Sequence, residues 1–157
     1  MSKEIERKWL IDEFPVNLIS NSSFEVNQIY LEVSNEKDEV RLRKKGNRYF
    51  LTVKKGEGIE REETQIEIPF ETYNSLSCLQ VCKDKVKKTR YEIKDGPYTI
   101  ELDFYKGNLE KLVTAEVEFN TIEESKSYIA PSWFGREVTD DKRYKNKNLA
   151  RDGLPKN

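Results

Sequence analysis

Charged and apolar residues alternate in strand-length segments along nearly the whole chain, and this pattern constrains the fold more than any other feature. Near the start, Glu4, Glu6 and Lys8 sit two residues apart, interleaved with Ile5, Trp9 and Ile11. Successive side chains of a β-strand point to opposite faces, so the carboxylates and the lysine share one face and the apolar residues take the other. A single strand of this kind is ordinary at a protein surface. The pattern returns in a second strand from about Phe24 to Val33, where Gln28, Tyr30 and Glu32 oppose Ile29, Leu31 and Val33. The third strand sets Glu39, Arg41, Arg43 and Lys45 against Val40 and Leu42, and the fourth sets Thr52 and Lys54 against Leu51 and Val53. A fifth carries Glu63, Gln65 and Glu67, and a sixth Lys88, Arg90 and Glu92. The seventh has Thr99, Glu101 and Asp103 on its polar face, and the eighth Thr114, Glu116 and Glu118.

Turn chemistry separates these segments. Gly46-Asn47 and Asp95-Gly96 predict hairpins, Lys106-Gly107-Asn108 another turn, and Asn17–Ser23 a loop or short helical turn. Lys55–Gly58, with two glycines, reads as a mobile loop. Phe70, Tyr73, Leu76 and Leu79 recur at helical spacing and predict a helix from Pro69 to about Val81. Thr121 and Glu124 form a capping box for a short helix that stops before Pro131. Trp133-Phe134-Gly135 reads as an aromatic anchor, and Asp140 is placed to cap a basic C-terminal helix from Asp141 to about Ala150. Eight strands, mostly joined by hairpins, suit an eight-stranded antiparallel β-barrel in a mainly β (α+β) chain with peripheral helices.

Composition narrows the function. The chain of 157 residues is the length of one domain, 1–157, and carries 28 basic against 29 acidic residues, so no global field attracts nucleic acid or an acidic membrane. Charged residues make up 36%, well above the roughly 25% of an average domain. Seven Phe, two Trp and eight Tyr argue against disorder as the reason, which leaves an unusually polar interior. No long apolar run or signal-peptide core is present, and a cytoplasmic location is expected. Cys78 and Cys82 lack metal-site or redox spacing and read as buried, reduced thiols. The chain has no histidine, so any hydrolysis must activate water without the commonest general base.

If the apolar faces lined the barrel, the order of charges on the polar faces would be arbitrary. It is not: strands seven and eight carry only acids there, strand one carries two acids before its lysine, and strands three, four and six are dominated by Arg and Lys. With strand eight beside strand one, the carboxylates form one wall and the cations another. Such an interior suits a polyanion of the triphosphate kind, neutralised by guanidinium and ammonium groups along its length and by divalent ions at one edge. Glutamates without histidine or thiolate are hard oxygen ligands, suited to Mg²⁺ or Mn²⁺.

These motifs resemble the CYTH superfamily, the triphosphate tunnel metalloenzymes. Glu4-Ile5-Glu6-Arg7-Lys8 is similar to its Glu-x-Glu-x-Lys signature, and the likeness runs on through Arg41-Leu42-Arg43, Thr52-Val53-Lys54, Lys88-Thr89-Arg90-Tyr91, Glu101-Leu102-Asp103 and Glu116-Val117-Glu118 to Asp141-Lys142-Arg143. The resemblance implies a barrel with a charged tunnel. It implies metal ligands at Glu4, Glu6, Glu116 and Glu118, supported by Glu63 and Asp103, and phosphate ligands at Lys8, Arg41, Arg43, Lys54, Lys88 and Arg90. Lys142 and Arg143 are further phosphate candidates on a helix that plugs or borders the tunnel, and Glu4, Glu6, Lys8 and Glu118 form the expected catalytic core. Gln65 stands where many relatives have Glu, and Glu67 could replace it only in a shifted register.

The expected activity is Mg²⁺- or Mn²⁺-dependent hydrolysis of inorganic triphosphate to pyrophosphate and phosphate. Class IV adenylyl cyclase activity, making cyclic AMP from ATP, and thiamine or nucleoside triphosphatase activity are the alternatives the resemblance implies; they need a platform for an organic group, and none is evident. A polyphosphate-binding module without catalysis is the alternative of another class, disfavoured by the complete acidic wall. The expected partner is a small-molecule triphosphate, and the sequence does not choose between monomer and homodimer.

Overall fold

The computed structural model describes residues 2–19, 22–79 and 81–156. Eight strands form: β1 (Ser2–Leu10), β2 (Ser23–Leu31), β3 (Glu39–Lys45), β4 (Arg48–Lys55), β5 (Glu60–Glu67), β6 (Asp84–Asp95), β7 (Tyr98–Tyr105) and β8 (Val113–Phe119). They close into one antiparallel barrel in the order β1-β5-β4-β3-β2-β6-β7-β8, so β1 lies between β5 and β8. The hairpins stand where the turn residues place them, with Gly46 and Gly96 at positive φ of 58° and 59°.

The charged faces point inward, and the apolar faces point outward and need cover. On one side Ile5, Trp9, Ile100, Leu102 and Val117 pack under α2 (Ile122–Ser127) and the segment after it, where Trp9 meets Phe134 and Tyr128 at ring-centroid distances of 4.9 and 5.8 Å. The capping box holds: Thr121 Oγ1 accepts from the Glu124 N–H at 3.1 Å, and Glu124 accepts from the Asn120 N–H at 3.0 Å. On another side Tyr73 and Leu76 of α1 (Phe70–Ser77) cover Ile29, Leu42 and Ile68. A third cluster fills one end of the barrel, where Tyr30, Val86 and Tyr105 pack against Val138, Tyr144 and Leu149 of the C-terminal segment.

Four local expectations are corrected. The helix expected over Pro69–Val81 ends at Ser77, whose hydroxyl bonds back to the Asn74 carbonyl at 2.9 Å, and Leu79 lies exposed beyond it. Of that range Gln80 is outside the described residues, as are Ser20 and Asn21 of the Asn17–Ser23 stretch, which contributes to a 3₁₀ turn at Val16–Leu18. Cys78, at the end of α1, is exposed, and only Cys82 is buried. The basic C-terminal helix is divided in two. Asp141, rather than Asp140, caps a 3₁₀ turn at Lys142–Tyr144 by accepting from the Arg143 N–H at 3.1 Å. Lys145 is then extended (φ −68°, ψ 135°) before α3 (Asn146–Asp152) begins. Burial of Tyr144 fixes the break, because a continuous helix would pull its ring out of the apolar end cluster. Among the described residues, no helix is long and apolar enough to cross a membrane.

Among the glycines, Gly135 has the closest approach to neighbouring backbone. Its N–H donates to the Leu10 carbonyl at 2.9 Å, and a Cβ at this position would stand 2.6 Å from the same oxygen. Gly135→Ala is therefore expected to cost about 1–3 kcal/mol, lowering the melting temperature by about 2–10 °C. A thermal melt within about 1 °C of the parent would show that this strap is not held as described.

Candidate active site

Closure of β1 against β8 divides the lumen into two arcs. β7, β8, β1 and β5 are contiguous and present Glu101, Glu116, Glu118, Glu4, Glu6 and Glu63. The other half presents Lys54 from β4, Arg41 and Arg43 from β3 and Arg90 from β6, with neutral Gln28 and Tyr30 from β2 between them. The lumen encloses about 260 Å³. Across the β1–β8 seam Glu6 lies directly opposite Glu118, and Lys8 directly opposite Glu116.

Part of this charge is compensated inside the barrel. Lys54 Nζ stands 2.7 Å from Glu4 and 3.6 Å from Glu63, and Lys8 Nζ stands 3.5 Å from Glu116 while donating to the Tyr144 carbonyl at 2.7 Å. Although burial opposes ionisation, Lys8, Lys88 and Arg90 hold the Glu116 carboxyl far below the usual range. Glu6 makes no ion pair among the described residues. Burial, then the charges of Glu4 and Glu116, push its carboxyl up to about 8 despite Lys54 and Lys8. Glu118 reaches solvent at the rim, yet desolvation along the wall, followed by Glu4, Glu6 and Glu101, raises it to about 7.

The basic arc mirrors this imbalance. Arg43 makes no hydrogen bond or ion pair among the described residues, and burial together with neighbouring Arg41 and Arg90 pulls its guanidinium down to about 10. The Nε atoms of Arg41 and Arg43 are buried without a hydrogen-bond partner. An unpaired guanidinium thus shares the lumen with carboxyls that repel one another.

The structure brings most of the expected residues together: Glu4, Glu6, Lys8, Arg41, Arg43, Lys54, Glu63, Arg90, Glu116 and Glu118 all line the lumen. Four do not. Lys88 and Asp103 are both fully buried behind the lining, 2.6 Å apart, and Asp103 also takes a two-point bond from Arg90 at 2.7 and 2.8 Å. These contacts neutralise Asp103 and aim Arg90 inward, where Arg90 also bonds Glu101. Lys142 pairs with Glu57 at 3.3 Å and Arg143 chelates Asp141 at 2.9 and 2.7 Å, so both line a neighbouring cavity instead. Gln65 faces the lumen and accepts from Thr52 at 3.0 Å, whereas Glu67 turns outward to Arg48 at 2.7 Å.

Several lining residues were not anticipated as site residues: Glu39, Arg61, Glu101 and, from the C-terminal segment, Lys145 and Asn146. Strand parity could have found the first three, since Arg61 lies two residues before Glu63, and Glu39 two before Arg41. Lys145 depends on the break after Tyr144, which no local sequence signal announces.

The donor set fits a hard divalent cation: Glu4, Glu6, Glu116 and Glu118 offer only oxygen ligands, and Glu6 and Glu118 lack compensation. Among the described residues no three carboxylates converge as a ready metal cluster, since Glu4 is drawn to Lys54 and Glu116 toward Lys8.

A closed antiparallel barrel whose lumen is divided between an acidic and a basic arc defines a class of barrels with a charged interior. This chain belongs to the CYTH domain family, whose model matches residues 2–153. It is 40% identical to an inorganic triphosphatase of Nitrosomonas europaea, over 94% of this chain and 96% of that protein. With an inorganic triphosphatase of Acetivibrio thermocellus it shares 34% identity over 97% and 96%. A crystal structure of an inorganic triphosphatase superposes with a TM-score of 0.69 at 38% identity, covering 99% of each chain. A putative adenylyl cyclase from Hippeastrum, described as having a dominant triphosphatase activity, shares only the fold, with a TM-score of 0.60 at 13% identity over 78% of this chain and 82% of that one.

The uncompensated carboxyls set a pH dependence with a definite sign. Below about pH 4.5 Glu6 is protonated in both folded and unfolded chains; between 4.5 and about 8 only the unfolded chain releases the proton, so stability falls with rising pH and then levels off. In chelator, Glu6→Gln should match the parent near pH 4.5 and melt at least about 2 °C higher above pH 8. A variant less stable than the parent at high pH would mean that Glu6 is ionised and paired.

Proposed function

We propose that this chain hydrolyses inorganic triphosphate to pyrophosphate and phosphate, with Mg²⁺ or Mn²⁺ as cofactor. The observation that carries this reading is the double imbalance of the lumen, with Arg43 lacking an anion and Glu6 and Glu118 lacking a cation. A polyphosphate carrying a divalent ion satisfies both arcs at once, and the similarity to relatives named inorganic triphosphatase supports it.

Arg43, Arg41 and Arg90 bind phosphate oxygens as fixed donors, Arg90 being held in place by Asp103. Lys8, anchored by the Tyr144 carbonyl, stands on the acidic arc and places positive charge at the seam. Glu4, Glu6, Glu116 and Glu118 would hold the ion, which supplies neutralisation of phosphate oxygens and a more acidic water. Water oxygen bonds to a terminal phosphorus, the bond to the bridging oxygen breaks with its electron pair leaving on pyrophosphate, the proton of the attacking water passes to solvent, and the charge gathering on the departing pyrophosphate is met by the basic arc. Among the described residues the lining offers no open aromatic face for a base or a thiamine ring: Tyr30 is buried in the end cluster, and Arg136 and Arg143 cover the Tyr144 ring at 5.5 and 5.8 Å.

Phosphate release from tripolyphosphate, ATP and thiamine triphosphate, each with Mg²⁺, Mn²⁺ or chelator, tests the reading. Tripolyphosphate should lead by at least about tenfold in kcat/KM, a difference of roughly 1.4 kcal/mol, and chelator should abolish turnover. Equal use of ATP, or activity surviving the chelator, would sink it.

Substitutions separate the arcs. Glu6→Gln should lower kcat at least about a hundredfold. Arg43→Ala should chiefly raise KM, by about tenfold or more. Near-parental rates in both variants would move the chemistry out of this lumen.

A further inference from the structure

One carboxylate lies on the wrong side of the lumen. Every other charged lining group contributed by β3, β4 and β6 is a cation, and Glu39 is the single acid among the described residues there. It is 6% exposed, with Oε1 3.7 Å from Arg61 and Oε2 3.5 Å from Arg41, and it lies opposite Lys54 across β3 and β4. Burial alone would favour its neutral form, but Arg41, Lys54, Arg61 and Lys147 more than offset that and keep it ionised.

Its place in the fold gives this charge a role. A second cavity, of about 420 Å³, adjoins the lumen, and Glu39, Arg61 and Lys145 line both. Beyond that boundary the vestibule is again basic: Arg143 and Arg151 are paired with Asp141 and Asp152, but Lys37, Lys142 and Lys147 share the lining with only Glu36 and Glu57. Lys37 and Lys142 share one counter-charge there, Glu57, at 3.4 and 3.3 Å. A phosphate chain lying along Arg43 and Arg41 would therefore be drawn onward into a second cationic chamber, were it not for the ionised carboxylate of the next inward-facing residue, whose backbone position lies about 6–7 Å beyond that of Arg41 along the strand. The next phosphate would have to sit beside that carboxylate and take Arg41 and Arg61 from it.

We propose that Glu39 is a specificity-determining residue that stops a phosphate chain at the border between lumen and vestibule, restricting the site to short inorganic chains. The inference rests on the reading that phosphate binds along the basic arc. A residue that merely oriented Arg41 would affect short and long chains alike, so the quantity that decides is a ratio.

Dissociation constants for tripolyphosphate and for long-chain polyphosphate are measured by calorimetry with chelator in about 0.15 M salt, where charges more than about 8 Å away are screened. In Glu39→Gln the preference should shift toward the long chain by at least about tenfold, and kcat/KM with Mg²⁺ should shift the same way. Adding Lys37→Ala and Lys142→Ala to that variant should cancel the gain. The same two lysine changes in the parent should leave the ratio within about twofold, because the chain never reaches them. An unchanged ratio in Glu39→Gln overturns the proposal. So does a falling long-chain preference in the parent carrying the lysine changes, an arm that decides the matter even if Glu39→Gln does not fold. If the parent binds tripolyphosphate but releases no phosphate, the hydrolase reading falls while the binding ratios still judge the gate.

Discussion

An ionised side chain taken out of water costs several kcal/mol unless a counter-charge meets it, and that cost governs how this barrel is built. Its interior is lined mainly by carboxylates on one arc and mainly by guanidinium and ammonium groups on the other, with Lys8 and Arg61 among the acids and Glu39 among the bases. Where the two meet within the wall, as at Lys88, Asp103 and Arg90, the charges are paired at 2.6 to 2.8 Å and serve to stiffen it. Where they face the lumen, pairing is incomplete. The residues left over, Glu6 and Glu118 on one side and Arg43 on the other, are destabilised by their own neighbours, and the proposed binding of polyphosphate with a cation rests on that imbalance.

Placing charge inside reverses the usual arrangement of a small barrel and leaves its apolar faces outside. Three coverings follow: α2 with the aromatic segment over β1, α1 over Ile29 and Leu42, and the C-terminal segment at one end. Gly135 lets the strap after Trp133 and Phe134 approach the β1 backbone closely enough to bury Trp9 at 3% exposure. The C-terminal segment also enters the site, because the Tyr144 carbonyl anchors Lys8 and extended Lys145 reaches the lining. Cover and site are therefore one construction at that end of the barrel.

The balance within the lumen also explains why individual residues differ in what they do despite equal charge. Glu116 and Glu6 stand two residues from each other's cross-strand partners, yet Lys8 faces one and Glu118 the other. The first is held ionised and the second is held back from ionising. Position among neighbours, rather than residue type, assigns these states: Lys8, Lys88 and Arg90 surround Glu116, whereas Glu6 is buried beside Glu4 and Glu116.

The period-two alternation determined, without further help, that strands would form, where they would turn, and that the order of charges was too regular for a solvated surface. It also identified most of the lining, since parity alone places Glu4, Glu6, Arg41, Arg43 and Glu116 on polar faces. Parity cannot say how far along the barrel axis each side chain lies or what stands across from it. Lys88 and Asp103 share the parity of the lining but retreat behind it because each finds the other, and Lys142 and Arg143 find acids outside the lumen. Lys145 enters only because burial of Tyr144 breaks the helix before it. Alternation is a local property of each strand and survives in isolation. Pairing between charges, and the division of the interior into two arcs, come into being only when β1 joins β8 and residues more than a hundred positions apart share one low-dielectric space.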